Sequence, residues 1–391
     1  MAKKICMVAY THYHQDARPR RAAEALVARG DQVDFLALKQ DGLPEQESVG
    51  GVELFNLPTR KYRGGGKANY IKSYLDFFFR CLVWITRRQI SRRYDVIYLH
   101  TMPDFIVFAS AVARLFGAKV VLDVHDTMPE LFSSKFGLAK SHLLIRFLEL
   151  QERLSCRFAD HVVCVHEPHR ALLEKRGAVQ NAGVSVLMNL PDPSVFGREQ
   201  KPVSDEGSAG PRLVYHGTVA RRLGLDLALR AFALVREVYP DARFDIYGAG
   251  DAVDDVRAVM AELSLQDCVG FEGTAFRLNE VPGFLAGASL GVVPNRRDPA
   301  TEMMLPVKLL EYLYLGIPVV APRLEAIEYY FSSGSVSYYE PEDIQSCADA
   351  MLSVLGDGAL REEQAAQAQS FYERFSWGHM KQRLYEVVDA A

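Results

Sequence analysis

The stretch MLPVKLLEYLYLGIPVVAP (residues 304–322) combines a helix start, a charged helix face and a strand that follows at once. Pro306 suits the first turn of a helix, and Gly316 suits its end. The apolar, β-branched run 318–321 predicts a buried strand. Lys308 and Glu311 are three residues apart, so they share one face of the helix, opposite a leucine-rich face. The segment therefore predicts one helix-to-strand step of an α/β sheet.

The charged face of this helix suits a phosphorylated ligand. Free N–H groups and the positive end of the helix dipole favour a phosphate at the helix start, and Lys308 would add a full charge there. Glu311, one turn deeper, could accept hydrogen bonds from both hydroxyls of a ribose. The alternative is a solvated ion pair between Lys308 and Glu311 on the helix surface, which spacing alone favours.

On both sides of this stretch, short apolar runs alternate with segments of helical period. The predicted strands are 4–10, 32–38, 52–57, 95–100, 119–124, 161–165, 185–188, 212–216, 243–247, 269–271, 290–294 and 318–321. The predicted helices are 19–29, 70–92, 105–116, 142–158, 168–176, 224–238, 252–264, 306–315, 359–374 and 377–390. Such alternation predicts βαβ units and parallel sheets with both faces covered.

The domain boundary falls in PDPSVFGREQKPVSDEGSAGP (residues 191–211), a Pro-, Ser- and Gly-rich segment without periodicity. It separates a first lobe, 1–190, from a second lobe, 212–372, and a C-terminal helix, 373–391, can cross back to the first lobe. Ligands of parallel sheets bind beyond the carboxyl ends of the strands. Polar residues that directly follow strands are therefore the candidate site residues, and two facing lobes would form a cleft between them.

Two loops of the second lobe follow strands. In LVYHGTVARRLGLDLAL (213–229), Gly217 allows close approach of backbone to a ligand, and Thr218 follows it. Arg221 and Arg222 precede a helix start, which favours a diphosphate held by guanidinium groups and helix N–H groups; a solvated polar loop is an equal alternative. The Gly-x-Gly of DIYGAGD (245–251) lacks the third glycine of a dinucleotide fingerprint, so it is a weak signal for NAD or FAD.

In the first lobe, polar residues follow three of the predicted strands. His125 and Asp126 come directly after the strand in VVLDVHDTMPE (120–130), and His100 has a comparable position in YLHTMPD (98–104). A neutral imidazole there could orient a substrate hydroxyl or polarise a leaving group, although a lone histidine is more often structural. Asp16 and Arg18 lie between the first strand and the first helix, and Arg18 can serve a charged acceptor.

Composition excludes several classes of protein. The 391 residues are 49% hydrophobic and 24% charged, which is ordinary for a globular protein of two or three domains. A net charge of −4 argues against nucleic acid as the main partner. The six cysteines are scattered without CxxC or Cys/His clusters and indicate core thiols in a reducing compartment. With no secretory signal and no apolar stretch long enough to span a bilayer, we expect a soluble, cytoplasmic protein.

One segment differs in charge from the rest. Residues 60–93 contain ten Lys or Arg and one acid, Asp76, and the apolar YLDFFFRCLVWI (74–85) lies inside them. Basic residues interleaved with aromatics on a helix suit an anionic membrane surface. A core-facing helix with a solvated basic face explains the pattern equally well. A peripheral position at the inner face of the membrane is therefore one of two expectations.

Taken together, these motifs resemble the family 4 glycosyltransferases, whose GT-B fold has two Rossmann-like lobes facing each other across a cleft. HGTVARRLGLD (216–226), YGAGD (247–251), VGFEGT (269–274) and LPVKLLEYLYLGIPVVAP (305–322) occur in the family's order and at its spacings. VLDVHDTMPE (121–130) further resembles members that build bacterial surface polysaccharides such as lipopolysaccharide, capsule or exopolysaccharide. The resemblance implies transfer of a sugar from a UDP- or GDP-linked donor to a saccharide or lipid-linked saccharide. It also implies retained anomeric configuration, no metal and no cofactor, and the chain has no Asp-x-Asp motif.

The resemblance also assigns roles to residues. Arg222 or Arg221, with Lys308, would hold the donor diphosphate, Glu311 would bind the ribose, and the loop from Phe271 to Gly273 would flank the base. His125 matches the histidine near the reacting sugar. The family often has two glutamates eight residues apart, but Met303 stands at the expected place and Glu302 one position earlier. Either Glu302 contacts the donor sugar from a shifted loop, or the backbone N–H groups ahead of Lys308 do so.

Two other functions fit the same fold. A nucleotide-sugar epimerase would need a set of carboxylates near the sugar, which the motifs do not contain. A non-catalytic nucleotide-sugar-binding subunit is disfavoured by the presence of Lys308, Glu311 and the arginine pair. The base, the sugar and the acceptor are not specified by these motifs, because a few loop contacts determine them.

Overall fold

The computed structural model describes residues 2–60, 67–179, 183–197 and 210–391. The chain divides into two compact units, Met1–Asn189 with Gly378–Ala391, and Leu190–Trp377. Each unit has its own largely parallel sheet with helices packed on it, so the predicted class of two α/β lobes is confirmed. Most of the predicted linker, residues 198–209, lies outside the described residues.

The sheet of the first unit has eight strands in the order β3-β4-β2-β1-β5-β6-β7-β8. The strands are β1 Lys4–Ala9, β2 Gln32–Leu38, β3 Gln46–Val49, β4 Val52–Leu57, β5 Val96–His100, β6 Lys119–Val124, β7 His161–Cys164 and β8 Gly183–Val186. All neighbours pair in parallel except β3 and β4, which form an antiparallel hairpin at one edge. The central strands are buried almost throughout, as expected for a sheet covered on both faces.

Helices connect these strands. They are α1 Ala17–Arg29, α2 Lys67–Arg92, α3 Ala111–Leu115, α4 Met128–Phe136, α5 Leu143–Phe158 and α6 Glu167–Lys175. A 3-10 helix, Asp104–Ser110, precedes α3, so the predicted helix 105–116 is two elements. Asp16 caps α1 through a hydrogen bond that its carboxylate accepts from the Arg18 N–H, 3.3 Å.

The second unit has a six-stranded sheet in the order β11-β10-β9-β12-β13-β14, in which all the pairs are parallel. Its strands are β9 Arg212–His216, β10 Arg243–Tyr247, β11 Val269–Phe271, β12 Leu290–Val292, β13 Val319–Pro322 and β14 Ser337–Tyr339. Its helices are α7 Leu225–Val238, α8 Val253–Glu262, α9 Val281–Leu285, α10 Pro299–Glu302, α11 Val307–Tyr314, α12 Glu325–Tyr330, α13 Ile344–Gly356 and α14 Gly358–Arg374. Phe232 of α7 and Phe244 of β10 meet edge to face in its core, with ring centroids 5.5 Å apart.

The last helix, α15 Trp377–Ala390, packs on the first unit. The Tyr385 hydroxyl donates to the Ala25 carbonyl of α1, 2.9 Å. Arg29 of α1 pairs with Asp389, 3.0 Å, and its guanidinium lies 4.8 Å from the centroid of the Tyr385 ring. The C-terminal segment is thus held against α1 by polar contacts.

Within the described residues, no helix is both long and apolar enough to cross a membrane.

Candidate functional site

In the second unit, the loop after β9 lies against the start of α11. Gly217 has φ +123, a conformation that side chains disfavour, and a Cβ on it would lie 3.3 Å from Cε of Lys308. Lys308 is buried, and its Nζ lies 3.2 Å from the Tyr215 hydroxyl and 4.3 Å from the centroid of that ring. Glycine at 217 therefore allows the backbone and the ammonium group to come together at the carboxyl end of the strand.

Glu311 is also buried, so the solvated surface ion pair that spacing alone allowed is excluded. Lys308 and Glu311 are 8% and 4% exposed. The Glu311 Oε2 atom lies 3.0 Å from Nε2 of His216, yet within the described residues neither atom makes a hydrogen bond. A buried carboxylate oxygen without a donor is costly, and a ligand hydroxyl would supply the donor.

The two arginines of the loop have different environments. The Arg221 side chain is 84% exposed and pairs with Asp255 on α8, Nε to Oδ2 2.7 Å. Arg222 is half-buried, and its Nε has no hydrogen-bond partner in the described part of the chain. Its charge acts on Lys308, so the two cations are close in space. Arg222 is therefore the arginine of the pair that lies with Lys308.

The charge state of Lys308 depends on its surroundings. Burial, with Glu311 opposing it and the nearby Arg222 adding to it, lowers the pKa of Lys308 to about 7. A bound anion would favour the protonated form. The cluster of Lys308 and Arg222 thus forms a cationic site whose charge responds to its ligand.

The other predicted donor-site residues are less enclosed. Thr218 is exposed, and its carbonyl accepts a hydrogen bond from the Tyr215 hydroxyl, 2.5 Å. Phe271 is half-buried at the end of β11, and Gly273 after it has φ +77. Arg257 donates to the Glu272 carbonyl, 2.8 Å, which ties this loop to α8.

Glu302 already has protein partners for both carboxylate oxygens. Its Oε2 accepts from the backbone N–H of Glu325, 2.9 Å, and its Oε1 pairs with Nε of Arg297, 2.8 Å. These contacts join the end of α10 to the start of α12. Both alternatives for a sugar contact, Glu302 and the backbone N–H groups ahead of Lys308, stay predictions from the sequence.

Sequence reasoning missed Asn295, which follows β12. Its side chain is 1% exposed, its Nδ2 contacts Sδ of Met304 at 3.6 Å, and its Oδ1 lacks a hydrogen-bond partner among the described residues. The rule that site residues follow strands would have found it, since VVPN ends a predicted strand.

In the first unit, the structure brings His100 and His125 together. His100 ends β5 and His125 follows β6, and these strands are neighbours. Nδ1 of His100 lies 2.8 Å from Nε2 of His125 and 3.2 Å from Oδ2 of Asp123. The same Asp123 oxygen accepts a hydrogen bond from the Tyr98 hydroxyl, 2.9 Å. All four side chains are buried.

Asp16 and Arg18 lie near this group. Arg18 Nε donates to Oδ1 of Asp16, 3.4 Å. Burial acts to raise the pKa of Asp16, but Arg18 and His125 lower it to about 2. Asp126 is exposed, and its charge acts on Arg18. The predicted first-lobe residues therefore share one region of the first unit.

His100, Asp123 and His125 form the metal-compatible group found among the described residues, with their ligand atoms all within 4.8 Å of one another. The absence of a metal remains a prediction from the sequence.

Comparisons with known proteins agree with this architecture. Residues 16–190 match the family described as "Glycosyl transferase 4-like domain", and residues 210–357 match "Glycosyl transferases group 1". The two matches together cover most of the chain, which belongs to the family 4-like glycosyltransferases. Alignment with solved structures along nearly the whole chain shows that it has the GT-B fold of this family.

Two curated relatives show partial similarity. A phosphatidyl-myo-inositol mannosyltransferase of Mycobacterium tuberculosis is 28% identical over 183 residues, 43% of this chain and 44% of that protein. An exopolysaccharide phosphotransferase of Streptomyces coelicolor is 29% identical over 154 residues, 39% of this chain and 16% of that protein. The chain thus spans less than half the length of these relatives.

Two solved structures align along nearly the whole chain. A sucrose-phosphate synthase of Thermosynechococcus elongatus aligns with a TM-score of 0.77 at 17% identity, covering 98% of both chains. An Anabaena protein solved in complex with UDP aligns with a TM-score of 0.66 at 16% identity, covering 100% of both. At these identities the likeness concerns the fold.

Proposed function

We propose that the protein transfers a sugar from a nucleotide sugar to a saccharide or lipid-linked saccharide acceptor, with retained anomeric configuration and without a metal. The observation that carries this proposal is the buried site of the second unit. Lys308 and Arg222 supply two cations, and Glu311 supplies a buried carboxylate beside Gly217. The two cations suit a diphosphate, and the buried carboxylate can accept hydrogen bonds from the hydroxyls of a ribose.

The donor class is supported by both chemistry and comparison. A phosphate at the start of α11 would meet free backbone N–H groups, the positive helix end and the Lys308 ammonium. The Anabaena protein of the same fold was also solved with UDP-glucose. We therefore propose a UDP- or GDP-linked sugar as the donor.

Surface polysaccharide synthesis is the proposed pathway. One relative is named as an exopolysaccharide phosphotransferase and another as a phosphatidyl-myo-inositol mannosyltransferase. The two names refer to a surface polymer and to a glycolipid. A lipopolysaccharide, capsule or exopolysaccharide precursor is the kind of acceptor we propose for this protein, with the protein in the cytoplasm.

Incubation with a nucleotide sugar alone separates the proposal from its alternatives. An epimerase converts the sugar unaided, a transferase needs an acceptor, and a binding subunit does neither. The donor is first selected by thermal shift with UDP, GDP, ADP and their sugars. A ligand at about one hundred times its Kd stabilises a protein by roughly 2.7 kcal/mol. A complete lack of stabilisation by all of them would contradict the proposed donor site.

Donor turnover is expected to survive chelation by EDTA. Lys308 and Arg222 can stabilise the charge that develops on the leaving diphosphate, which is the role a divalent ion would otherwise have. The measurement compares turnover before and after EDTA treatment. Complete loss of activity that magnesium or manganese restores would contradict this expectation.

Donor affinity is expected to decrease as the pH rises above about 7. Burial lowers the pKa of unliganded Lys308 to about 7, and a bound diphosphate raises it. Below that pH Lys308 is charged in both states, so it adds no pH dependence. Above it, binding takes up a proton, and affinity decreases by up to about tenfold per pH unit. Calorimetry of nucleoside diphosphate binding in buffers of different ionisation enthalpy measures this uptake, and a Lys308→Met variant should lose it. Equal donor affinity below and above pH 7 would contradict a titrating Lys308 in the donor site.

Helix α2 supports a membrane-linked acceptor. Its exposed face combines apolar and basic side chains. A basic face that is only solvated would not need exposed apolar side chains. The apolar members, 41% to 72% exposed, are Ile71, Leu75, Phe79, Val83 and Ile90. Lys72 and Arg87 are exposed beside them. Residues 61–66 of the predicted basic segment lie outside the described residues.

Some of the basic residues have partners inside the protein. Arg88 lies over the rings of Phe55 and Trp84, 4.8 and 5.0 Å from their centroids. Arg92 pairs with Asp34, 3.4 Å.

A second helix, α5, has an exposed apolar stripe and, like α2, packs on the 3-10 helix Asp104–Ser110. Its members are Leu143, Phe147, Leu150 and Leu154. We propose that these two helices contact an anionic lipid surface at the inner face of the membrane.

Charge reversal at Lys72 and Arg87 is expected to weaken binding to anionic liposomes more than about tenfold. Each basic residue near such a surface contributes about 1 kcal/mol, and the effect decays beyond a Debye length of roughly 8 Å. Co-sedimentation with vesicles of differing phosphatidylserine content and salt measures it. Lys119 and Lys175, exposed elsewhere on the first unit, provide the charge-matched control. The proposal would be refuted if binding did not depend on salt and lipid charge, or if the charge-reversed variant bound as tightly as the wild-type protein.

A further inference from the structure

The buried histidine pair of the first unit belongs to a four-residue hydrogen-bonded chain. Tyr98 donates its hydroxyl to Oδ2 of Asp123, 2.9 Å, and Nδ1 of His100 lies 3.2 Å from the same oxygen. Nδ1 of His100 also lies 2.8 Å from Nε2 of His125. The two imidazole rings are nearly parallel, 23° apart. None of the four side chains is more than 9% exposed, so solvent does not compete for these contacts.

The Asp123 carboxylate removes the ambiguity in this chain of proton donors and acceptors. Burial acts to raise the pKa of Asp123, but His125, His100 and Tyr98 lower it to about 2, so the carboxylate is ionised and can only accept. A bare Nδ1 on His100 would direct a lone pair at that carboxylate. His100 therefore carries its proton on Nδ1.

This proton determines the tautomer of His125. An N–H on Nε2 of His125 would face the N–H of His100 across 2.8 Å. The nearby Oδ2 of Asp123 could not accept from it, because it lies 3.7 Å from Nε2 of His125, beyond hydrogen-bond distance. Nε2 of His125 must therefore be the acceptor. Burial and Arg18 lower the pKa of His125, with Asp123 opposing, to about 4, so the ring is neutral and holds one proton. That proton is on Nδ1.

Resting on the proposed transferase function, we propose that His100 is a positioning residue. With Asp123 and Tyr98, it fixes His125 in the tautomer whose Nδ1–H donates to an oxygen of the bound sugar. The Nδ1 atom of His125 is buried and has no acceptor among the residues described in the structure. A buried donor without an acceptor is destabilising, so a substrate oxygen at this point would gain a preformed, correctly protonated partner.

Among the residues that the structure describes, none supplies a competing partner for Nδ1 of His125. Asp16, which caps α1, and Arg18, in its first turn, act on His125 through their charges. His169 of α6 is buried and has its pKa lowered to about 3 by burial, with His166 adding to the shift, so it is neutral. The role of His100 is therefore indirect, whereas the sequence left open a direct contact of its imidazole with a substrate hydroxyl or a leaving group.

The test uses the whole protein labelled with ¹⁵N-histidine. Nitrogen chemical shifts by NMR identify the tautomer of His125 in wild type, His100→Ala and His100→Asn. The proposal expects a neutral Nδ1–H form in wild type and a mixed population in H100A. The Asn amide can donate from nearly the position of Nδ1, so H100N should restore the wild-type pattern. His161→Asn, on β7 and outside this chain, is the control.

Several results would overturn the proposal. One is an Nε2–H tautomer of His125 in wild type, and another is an unchanged tautomer in H100A. Zinc chloride provides a third arm, because His100, Asp123 and His125 have ligand atoms within 4.8 Å of one another. Stoichiometric binding that shifts both histidines in the purified protein would assign the cluster to a metal ion instead.

Turnover of the nucleotide sugar separates positioning from a merely structural role. H100A is expected to decrease kcat about tenfold to a hundredfold with unchanged donor KM, and H100N to recover it. Equal kcat in H100A and wild type would reject the positioning role. A wild-type protein that turns over no donor would instead refute the proposed transferase function. The NMR result is independent of activity, so the two failures are distinguishable.

Discussion

Replacement of Lys308 by Ala is expected to weaken nucleoside diphosphate binding by one to two orders of magnitude and to abolish sugar transfer. Lys308 is buried beside Gly217, where a Cβ would touch it, and Arg222 is the second cation of the site. A charge-assisted contact to phosphate contributes about 1.5–3 kcal/mol, which corresponds to that loss of affinity. Calorimetry with the nucleoside diphosphate found by thermal shift measures the change.

Two controls make this result specific. Lys308→Met preserves most of the side-chain volume against Tyr215 and should bind as weakly as the Ala variant, which separates charge from packing. Arg221→Ala removes an exposed cation of the same loop, one that pairs with Asp255 of α8, and the affinity of this variant should remain close to wild type. Unchanged affinity in both Lys308 variants would remove this residue from the donor site.

Replacement of Gly250 by Ala is expected to destabilise the second unit strongly. A Cβ at this position would lie 1.9 Å from the Val219 carbonyl oxygen, and backbone cannot yield there as a side chain can. Val219 N–H donates to the Ala249 carbonyl, 3.0 Å, so the turn after β10 and the loop after β9 are joined. Separating them also displaces Gly217 and Arg222, which belong to that loop. Overpacking of this kind costs on the order of 3 kcal/mol.

Thermal unfolding measures this cost. A loss on the order of 3 kcal/mol lowers Tm by roughly 6–12 °C in a unit of this size. Gly283→Ala, in α9, is the matched control, because a Cβ there meets no described atom within 4 Å and alanine favours the helix. It should melt at the wild-type temperature or slightly above. A Gly250→Ala protein that melts with the control and binds the nucleotide normally would contradict the packing described for these turns.

The alternation of strands and helices could be predicted because each buried strand is a continuous apolar run. The strands Gln32–Leu38 and Arg212–His216 were predicted to the residue. The hairpin strand β3 was missed, since its sequence QESV has one apolar residue and lies at the sheet edge. Strand β14 and helix α13 were also missed, although α13 buries Cys347 and Met351 in the core of the second unit. Strand β14 has only three residues, too few for a pattern to show, and α13 packs mainly on α7, which precedes it by about one hundred residues.

The site could be predicted in part for the same reason. The position of Lys308, Glu311 and Gly217 after or beside strand ends follows from the topology, and the structure brings them together. Whether Arg221 or Arg222 turns inward depends on the 3-10 helix at 221–223, which no periodicity predicts. Tyr98 and Asp123 were missed because they lie within strands, where a polar residue has no distinguishing sequence signal.

The two glycines of the Gly-x-Gly after β10 have a structural reason that does not involve a dinucleotide. Gly248 is needed because a Cβ there would lie 1.9 Å from the Gly217 carbonyl oxygen, and Gly250 because of Val219. The Gly-x-Gly after β10 thus serves the close approach of two loops. Its sequence spacing is a packing requirement of the second unit, which explains its weakness as a cofactor signal.

The central claim is that this protein transfers a sugar from a nucleotide donor. The most direct test incubates the purified protein with the nucleotide sugar selected by thermal shift, with and without lipid-linked saccharides extracted from bacterial membranes. Mass spectrometry then follows both the donor and the acceptor. We predict release of the nucleoside diphosphate together with an acceptor heavier by one sugar residue, only when the acceptor is present and not with the Lys308→Met protein. A donor converted to its epimer without an acceptor, or a donor left intact in both reactions, would contradict the claim.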